Sequence, residues 1–451
     1  MLDSGGVKIL VDCGLNQGSK YAEDMNYDKF AYDPAQINFV FITHSHTDHV
    51  GRLPKLFKEG FRGRVIASKP TIDLAQKALP DNLNIITEEA KREGREPIFN
   101  LKDLEGVLEL AEGFDYEVPI ELGDGLRAIL HDAGHILGST IVEIDFEDRV
   151  PLSPRFAGEG AHSEKKKIYF TGDLGNPPTP LLQPPFFPKD ADYAVVESAY
   201  GSRIHEDRSA RKIMLENVIK ETISKGGTLM IPSFAMERTQ ELLYELNQFV
   251  NHNQIPRVPI YVDSPLATNL TEVYKKYPNY FNKTAYHVIE SGDDVFNFPG
   301  LTFTRTSDES KAINNVRGPK IIIAGSGMST GGRILHHEMR YLPDSNSAIL
   351  FVGYQVLGSL GRRILDGEKN VKIFGEPVVV KCQIRAIGGY SAHADQPMLL
   401  KWIQSAASGG NLKEVFIVQG EEDSATILAE KAKTDFNVNA VVPSQGESFE
   451  L

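Results

Sequence analysis

Residues 42–54 read ITHSHTDHVGRLP. Four groups that bind metals, His44, His46, Asp48 and His49, stand close together there, directly after the apolar run INFVFI (37–42). Three imidazoles and a carboxylate on one tight turn are costly to hold together without a cation, because each must shed water beside the others. Neutral imidazole and carboxylate suit zinc particularly well. At offsets i, i+2, i+4 and i+5, three of the groups can serve one ion, and a fourth pointing elsewhere implies a second ion nearby. The stretch therefore predicts a zinc centre at the end of a buried strand.

Further ligands have to come from other strand ends. HDAGHILGS (131–139) places His135 in a Gly-containing loop between two strands, and FTGDLG (170–175) places Asp173 just beyond another. VDCG (11–14) sets Asp12 at the end of the first strand. A carboxylate there can orient a metal-bound His through its other ring nitrogen. Taken singly, each of these residues also fits a plain turn position.

The chain has 451 residues, which points to two or three domains. Its 41% hydrophobic and 24% charged content is that of a soluble globular protein. No apolar run approaches the ~20 residues of a membrane-spanning helix. MLDSGGVKILVD does not read as a signal peptide, so no membrane and a cytoplasmic location are expected. Two cysteines, Cys13 and Cys382, fit a reducing compartment, with Cys13 as a small core residue. A net charge of −13 says little against nucleic acid, whose binding depends on where Lys and Arg stand rather than on their total.

Short apolar runs alternate with amphipathic stretches along the whole sequence, which predicts an α/β protein. Strands are expected at 8–12, 37–43, 126–131, 139–146, 167–172 and 192–198. Others follow at 228–233, 259–264, 320–326, 348–354, 378–387 and 414–419. RKIMLENVIKETI (211–223), ERTQELLYELNQFV (237–250) and ADQPMLLKWIQSA (394–406) carry helical spacing. The polar segment 150–166 reads as an exposed loop with His162 solvated, and the Pro-dense 175–192 as a rigid connection.

Together these stretches resemble the metallo-β-lactamase fold, an αββα sandwich with a His-x-His-x-Asp-His run followed by a His and then an Asp. The resemblance gives one zinc to His44, His46, His135 and Asp173, and a second to Asp48, His49 and the same Asp173. After VVESAYG (195–201) comes a long insertion, then GGYSAHADQ (388–396) and VFIVQGEED (415–423). This is similar to the β-CASP nucleases, the group of ribonuclease J and the mRNA 3′-end cleavage endonucleases. IPSFAMERTQELLYEL, DSPLA, SGMSTGGRILHH and FVGYQVLGSLGRRILDG add to the likeness. The implied organisation is a metallo-β-lactamase domain over 1–198, an inserted α/β β-CASP domain over 199–377, and the rest of the first domain over 378–451.

The implied activity is hydrolysis of RNA phosphodiester bonds by a hydroxide held on two zinc ions. Asp48, His393 and Glu197 are the expected catalytic residues: His393 protonates the leaving oxygen, and Glu197 fixes its tautomer. A bare helix-capping role for the SAHAD segment is the alternative. GSGMSTGGR (325–333) follows a strand and opens a helix, so Ser326, Gly327, Ser329 and Arg333 are expected to cradle a phosphate, with Arg238 nearby in role. Single-stranded RNA is the expected partner, and a homodimer is an open option.

Two features depart from the family pattern. The resemblance implies a strand and a Gly-rich turn ahead of KILVDCG, and this chain starts almost at that point, which predicts a bare edge on the first sheet. Gln419 stands where the pattern has a His ligand of the second zinc, and an amide oxygen is a poorer ligand than imidazole. That substitution keeps a nucleic-acid-binding scaffold with impaired catalysis in view. A small-molecule metallo-hydrolase would share the His cluster but leaves the long insertion between Glu197 and His393 without a purpose.

Overall fold

The computed structural model describes residues 1–18, 20–123, 125–148, 164–205 and 210–451. His162 and most of the 150–166 segment therefore lie outside the described residues. The chain divides into two compact units: one of residues 1–177, 184–204 and 392–451, the other of 178–183 and 205–391. The Pro-dense 175–192 segment is where the chain visits the second unit for six residues and returns.

In the first unit the run that precedes the His cluster forms the strand Phe39–Phe41, buried along its whole length. It is the middle strand of a five-stranded sheet ordered Leu2–Ser4, Val7–Val11, Phe39–Phe41, Arg64–Ser68, Ala111–Phe114. All its pairings are parallel except that of Leu2–Ser4 with Val7–Val11. LDSGG thus supplies a three-residue strand and a Gly-rich turn ahead of KILVD, and Leu2–Ser4, paired on one side only, is itself the edge of the sheet. Three residues of strand closed by Gly5 and Gly6, both at positive φ, were too short to register as a period.

A seven-stranded sheet runs Ala440–Val441, Glu414–Val418, Tyr193–Glu197, Glu164–Phe170, Thr140–Asp148, Leu126–Asp132, Ile120–Gly123. Ile9, Phe39, Phe41 and Ile66 of the first sheet share one core with Ala128, Leu130, Val142 and Ile168 of the second. Helices cover the outer faces. Leu53, Leu56, Leu79, Leu104 and Val107 pack on the first sheet, and Leu399, Trp402, Ile403 and Leu428 on the second. This is the αββα sandwich. Cys13 sits in the first of these outer cores, as expected.

The second unit holds an all-parallel sheet ordered Leu301–Phe303, Ile260–Asp263, Lys320–Ala324, Thr228–Pro232, Ala348–Phe351, Gln383–Ala386. The run 378–387 is not one strand. Glu376–Val379 turns back antiparallel on Asn370–Ile373, and only Gln383–Ala386 joins the large sheet. A uniformly apolar run does not reveal where its pairing partner changes.

Candidate metal centre

Strand ends of the first unit bring the predicted residues together. Ile42 extends the pairing of its strand by donating to Ile66 O at 2.9 Å, and the chain then turns through His44 and His46 into the short helix Thr47–Val50. Gly14 is needed beside this turn, since a Cβ there would fall 1.5 Å from the Asp48 carbonyl oxygen. Asp12, held at φ 61°, aims its carboxylate at the turn from the neighbouring strand. It accepts from the Thr43 amide at 2.8 Å and the Thr43 hydroxyl at 2.8 Å, and lies 2.7 Å from His49 Nδ1. Thr43 was not singled out in the sequence. Its Oγ1 is also 3.1 Å from His44 Nδ1, so one hydroxyl links Asp12 to a second imidazole.

His44 Nε2 lies 2.9 Å from His46 Nδ1, which lies 3.3 Å from His135 Nε2. Asp173 Oδ2 is 3.5 Å from both His44 Nε2 and His135 Nε2. A tetrahedral zinc with bonds of about 2.1 Å has ligand–ligand edges of about 3.4 Å, so these four atoms fit such an ion. Burial keeps the imidazoles neutral: His44 and His135 fall well below the ordinary His range and His46 falls to about 4. Burial would raise Asp173, but His49, His393 and His44 outweigh it and hold the carboxyl well below its usual range. His135 Nδ1 is buried without a hydrogen-bond partner.

The other half of the cluster is arranged differently. Asp173 Oδ1 is 3.4 Å from His49 Nε2, while Asp48 is half exposed with its Oδ2 3.7 Å from the same nitrogen. Among the described residues, the ligand atoms of His44, His46, His135 and Asp173 gather within 4.8 Å of one another, as do those of Asp173, Glu197 and His393. Asp48 and His49 belong to neither group. Gln419 ends the strand Glu414–Val418 at φ 53° and does reach the cluster, but with its nitrogen. Nε2 lies 2.7 Å from His49 Nε2 and donates to Asp173 Oδ1 at 2.8 Å. The expected approach of its carbonyl oxygen is therefore corrected, because an oxygen in that place would face the Asp173 carboxylate. Burial opposes charge on His49, and the Asp173 and Asp12 carboxylates outweigh it and favour charge.

Glu197 and His393 also meet. Glu197 Oε1 accepts from the Leu174 amide at 2.5 Å, and its Oε2 is 3.4 Å from His393 Nδ1. Gly175 bridges to His393 through the backbone, and Ala394 N donates to Leu174 O at 2.8 Å, so one segment positions both side chains. Burial would lower His393, but Asp173 and then Glu197 raise it to about 9.

The residues expected to cradle phosphate, all in the second unit, are engaged internally. Arg333 donates to Asp263 Oδ1 at 2.8 Å and to the carbonyls of Thr304 and Arg305. Arg238 is buried, paired with Glu241 and stacked over Tyr390. Ser329 is buried against Glu338. Ser326 Oγ accepts the amides of Thr330 and Gly331, and Gly327 O accepts from Gln355. The polar heads of Arg333, Arg238 and Ser329 thus each already meet a charge or carbonyl of their own unit.

The sequence matches the Metallo-beta-lactamase superfamily domain over residues 1–150, the Beta-Casp domain over 239–364 and the Zn-dependent metallo-hydrolase RNA specificity domain over 377–443. It is 37% identical to Ribonuclease TTHA0252 of Thermus thermophilus, across 95% of this chain and 91% of that protein. The chain belongs to the β-CASP branch of the metallo-β-lactamase superfamily. Other β-CASP relatives are the Transcription termination factors FttA of Methanocaldococcus jannaschii, 29% identical over 97% of this chain and 67% of its own length, and of Thermococcus kodakarensis, 30% identical over 98% and 67%. Membership of this branch makes the protein a metallo-hydrolase of the nuclease kind. No helix among its described residues is long and apolar enough to cross a membrane.

Proposed function

We propose that the protein is a zinc-dependent ribonuclease acting on single-stranded RNA, with a metallo-β-lactamase domain interrupted by the inserted 205–391 unit. The tetrahedral spacing of His44, His46, His135 and Asp173 carries this reading. A zinc ion held there would supply a Lewis acid and a water acidic enough to act as nucleophile near neutral pH. The chain's residues do the rest. Thr43 and Asp12 fix the ring orientations of His44 and His49. Asp173 balances the charge of a bound cation.

His393 turns Nδ1 toward Glu197, so Nε2 is the nitrogen that would carry a proton to the leaving oxygen. With Asp173 given to a cation, Glu197 is the carboxylate left to favour the protonated form that a general acid needs. The gathered ligand set argues against a scaffold that has lost catalysis. The separate inserted unit argues against a small-molecule hydrolase.

The test is cleavage of an end-labelled single-stranded RNA of mixed sequence by parent protein with zinc, by chelator-treated protein and by His44→Ala. Products are expected from the first alone. Cleavage by His44→Ala at the parent rate would overturn the reading.

A further inference from the structure

The second half of the cluster does not fit a second cation. The Gln419 amide nitrogen stands between two ligand atoms, 2.7 Å from His49 Nε2 and donating to Asp173 Oδ1 at 2.8 Å. These are two of the three atoms that a second zinc would need. Asp12 Oδ2 lies 2.7 Å from the other nitrogen of His49 and fixes the orientation of the ring. An amide nitrogen is no metal ligand, since its lone pair is delocalised into the carbonyl. For a second ion to enter, Gln419 would have to release both partners. If the amide instead turned its oxygen inward without leaving, that oxygen would stand where the nitrogen now donates, facing Asp173 Oδ1. The third atom, Asp48 Oδ2, lies 3.7 Å from His49 Nε2 on a side chain that is 46% exposed.

We propose that the amide nitrogen of Gln419, set between His49 and Asp173, occupies the place of a second cation, so that this enzyme works with a single zinc on His44, His46, His135 and Asp173. The proposal rests on reading that four-residue group as a zinc site. Gln419 then acts as a positioning residue. It holds His49 and one oxygen of Asp173 in place without charge, and the other oxygen of Asp173 serves the zinc. A single zinc held there would supply one positive charge to a bound phosphate, with His393 placed to give a proton.

Metal counting tests this without reference to cleavage. The full chain is stripped with chelator, refilled with excess zinc, desalted and analysed for metal, beside Gln419→His and Gln419→Glu. Each replacement offers a lone pair or carboxylate where the amide offers hydrogens. One zinc per chain is expected in the parent and two in at least one variant that keeps the parent's circular dichroism. Two zinc ions in the parent would overturn the proposal. So would one zinc in the parent and in both folded variants, because the amide would then not be what excludes the second ion. A parent that holds one zinc but cleaves no RNA would instead defeat the ribonuclease reading and leave this inference standing.

Discussion

His44 and His46 on one side, and Asp48 and His49 on the other, come from a single turn, yet the two halves of the centre have opposite character. In the first half, three imidazole nitrogens that burial keeps neutral converge with a carboxylate oxygen at tetrahedral spacing. In the second half, Asp12 takes one nitrogen of His49 and Gln419 the other, while Asp48 stays half exposed. Residue types alone would make both halves zinc sites. What separates them is whether the ligand atoms already face a partner.

The largest effect should come from the first half. His135→Ala removes one of the three imidazoles gathered with Asp173. It should abolish stoichiometric zinc and slow RNA cleavage by about 10³-fold or more, the equivalent of several kcal/mol of Lewis-acid stabilisation. Full zinc content in the purified variant would break the comparison at its stronger side.

His393→Ala should come next, with cleavage slowed about 10²-fold and zinc content unchanged, because it supplies a proton and no lone pair to the metal. A substrate with a much better leaving group should recover most of the loss. If such a substrate is slowed as much as RNA, His393 positions the site and is not the acid.

Thr43 touches both halves, through Asp12 and through His44 Nδ1. Thr43→Val keeps the shape and removes both contacts. Zinc affinity should fall about 10-fold, the lower end of what losing an orienting partner costs. Competition against a chromogenic chelator measures it, and parent affinity would show that the ring needs no such support.

Arg333→Ala should have the smallest effect on cleavage, because the guanidinium is engaged by Asp263 and two carbonyls. The cost should appear as about 1–3 kcal/mol of stability in denaturant unfolding, since Asp263 is fully buried. A raised KM for RNA at unchanged stability would return Arg333 to the substrate.

The same distinction explains what the sequence conveys. His44, His135 and Asp173 are legible because each closely follows an apolar strand, and Glu197 because it ends one, whereas the αββα architecture and the place of His393 are legible through the family resemblance. Three residues of edge strand at Leu2–Ser4 are too few to show a pattern, and the apolar run 378–387 hides a change of partner. Commitments between side chains distant in the chain are not legible at all. Arg333 and Asp263 stand 70 positions apart, and Gln419 and His49 stand 370 apart. Spacing marks which residues can bind a cation or a phosphate, and only the folded chain shows which already have a partner.

The most direct measurement of the account is a zinc titration of chelator-stripped protein, followed by the rate of single-stranded RNA cleavage. The rate should rise in proportion to added zinc and level off at one equivalent per chain. A rate that keeps climbing to two equivalents, or one that does not respond to zinc, would contradict it.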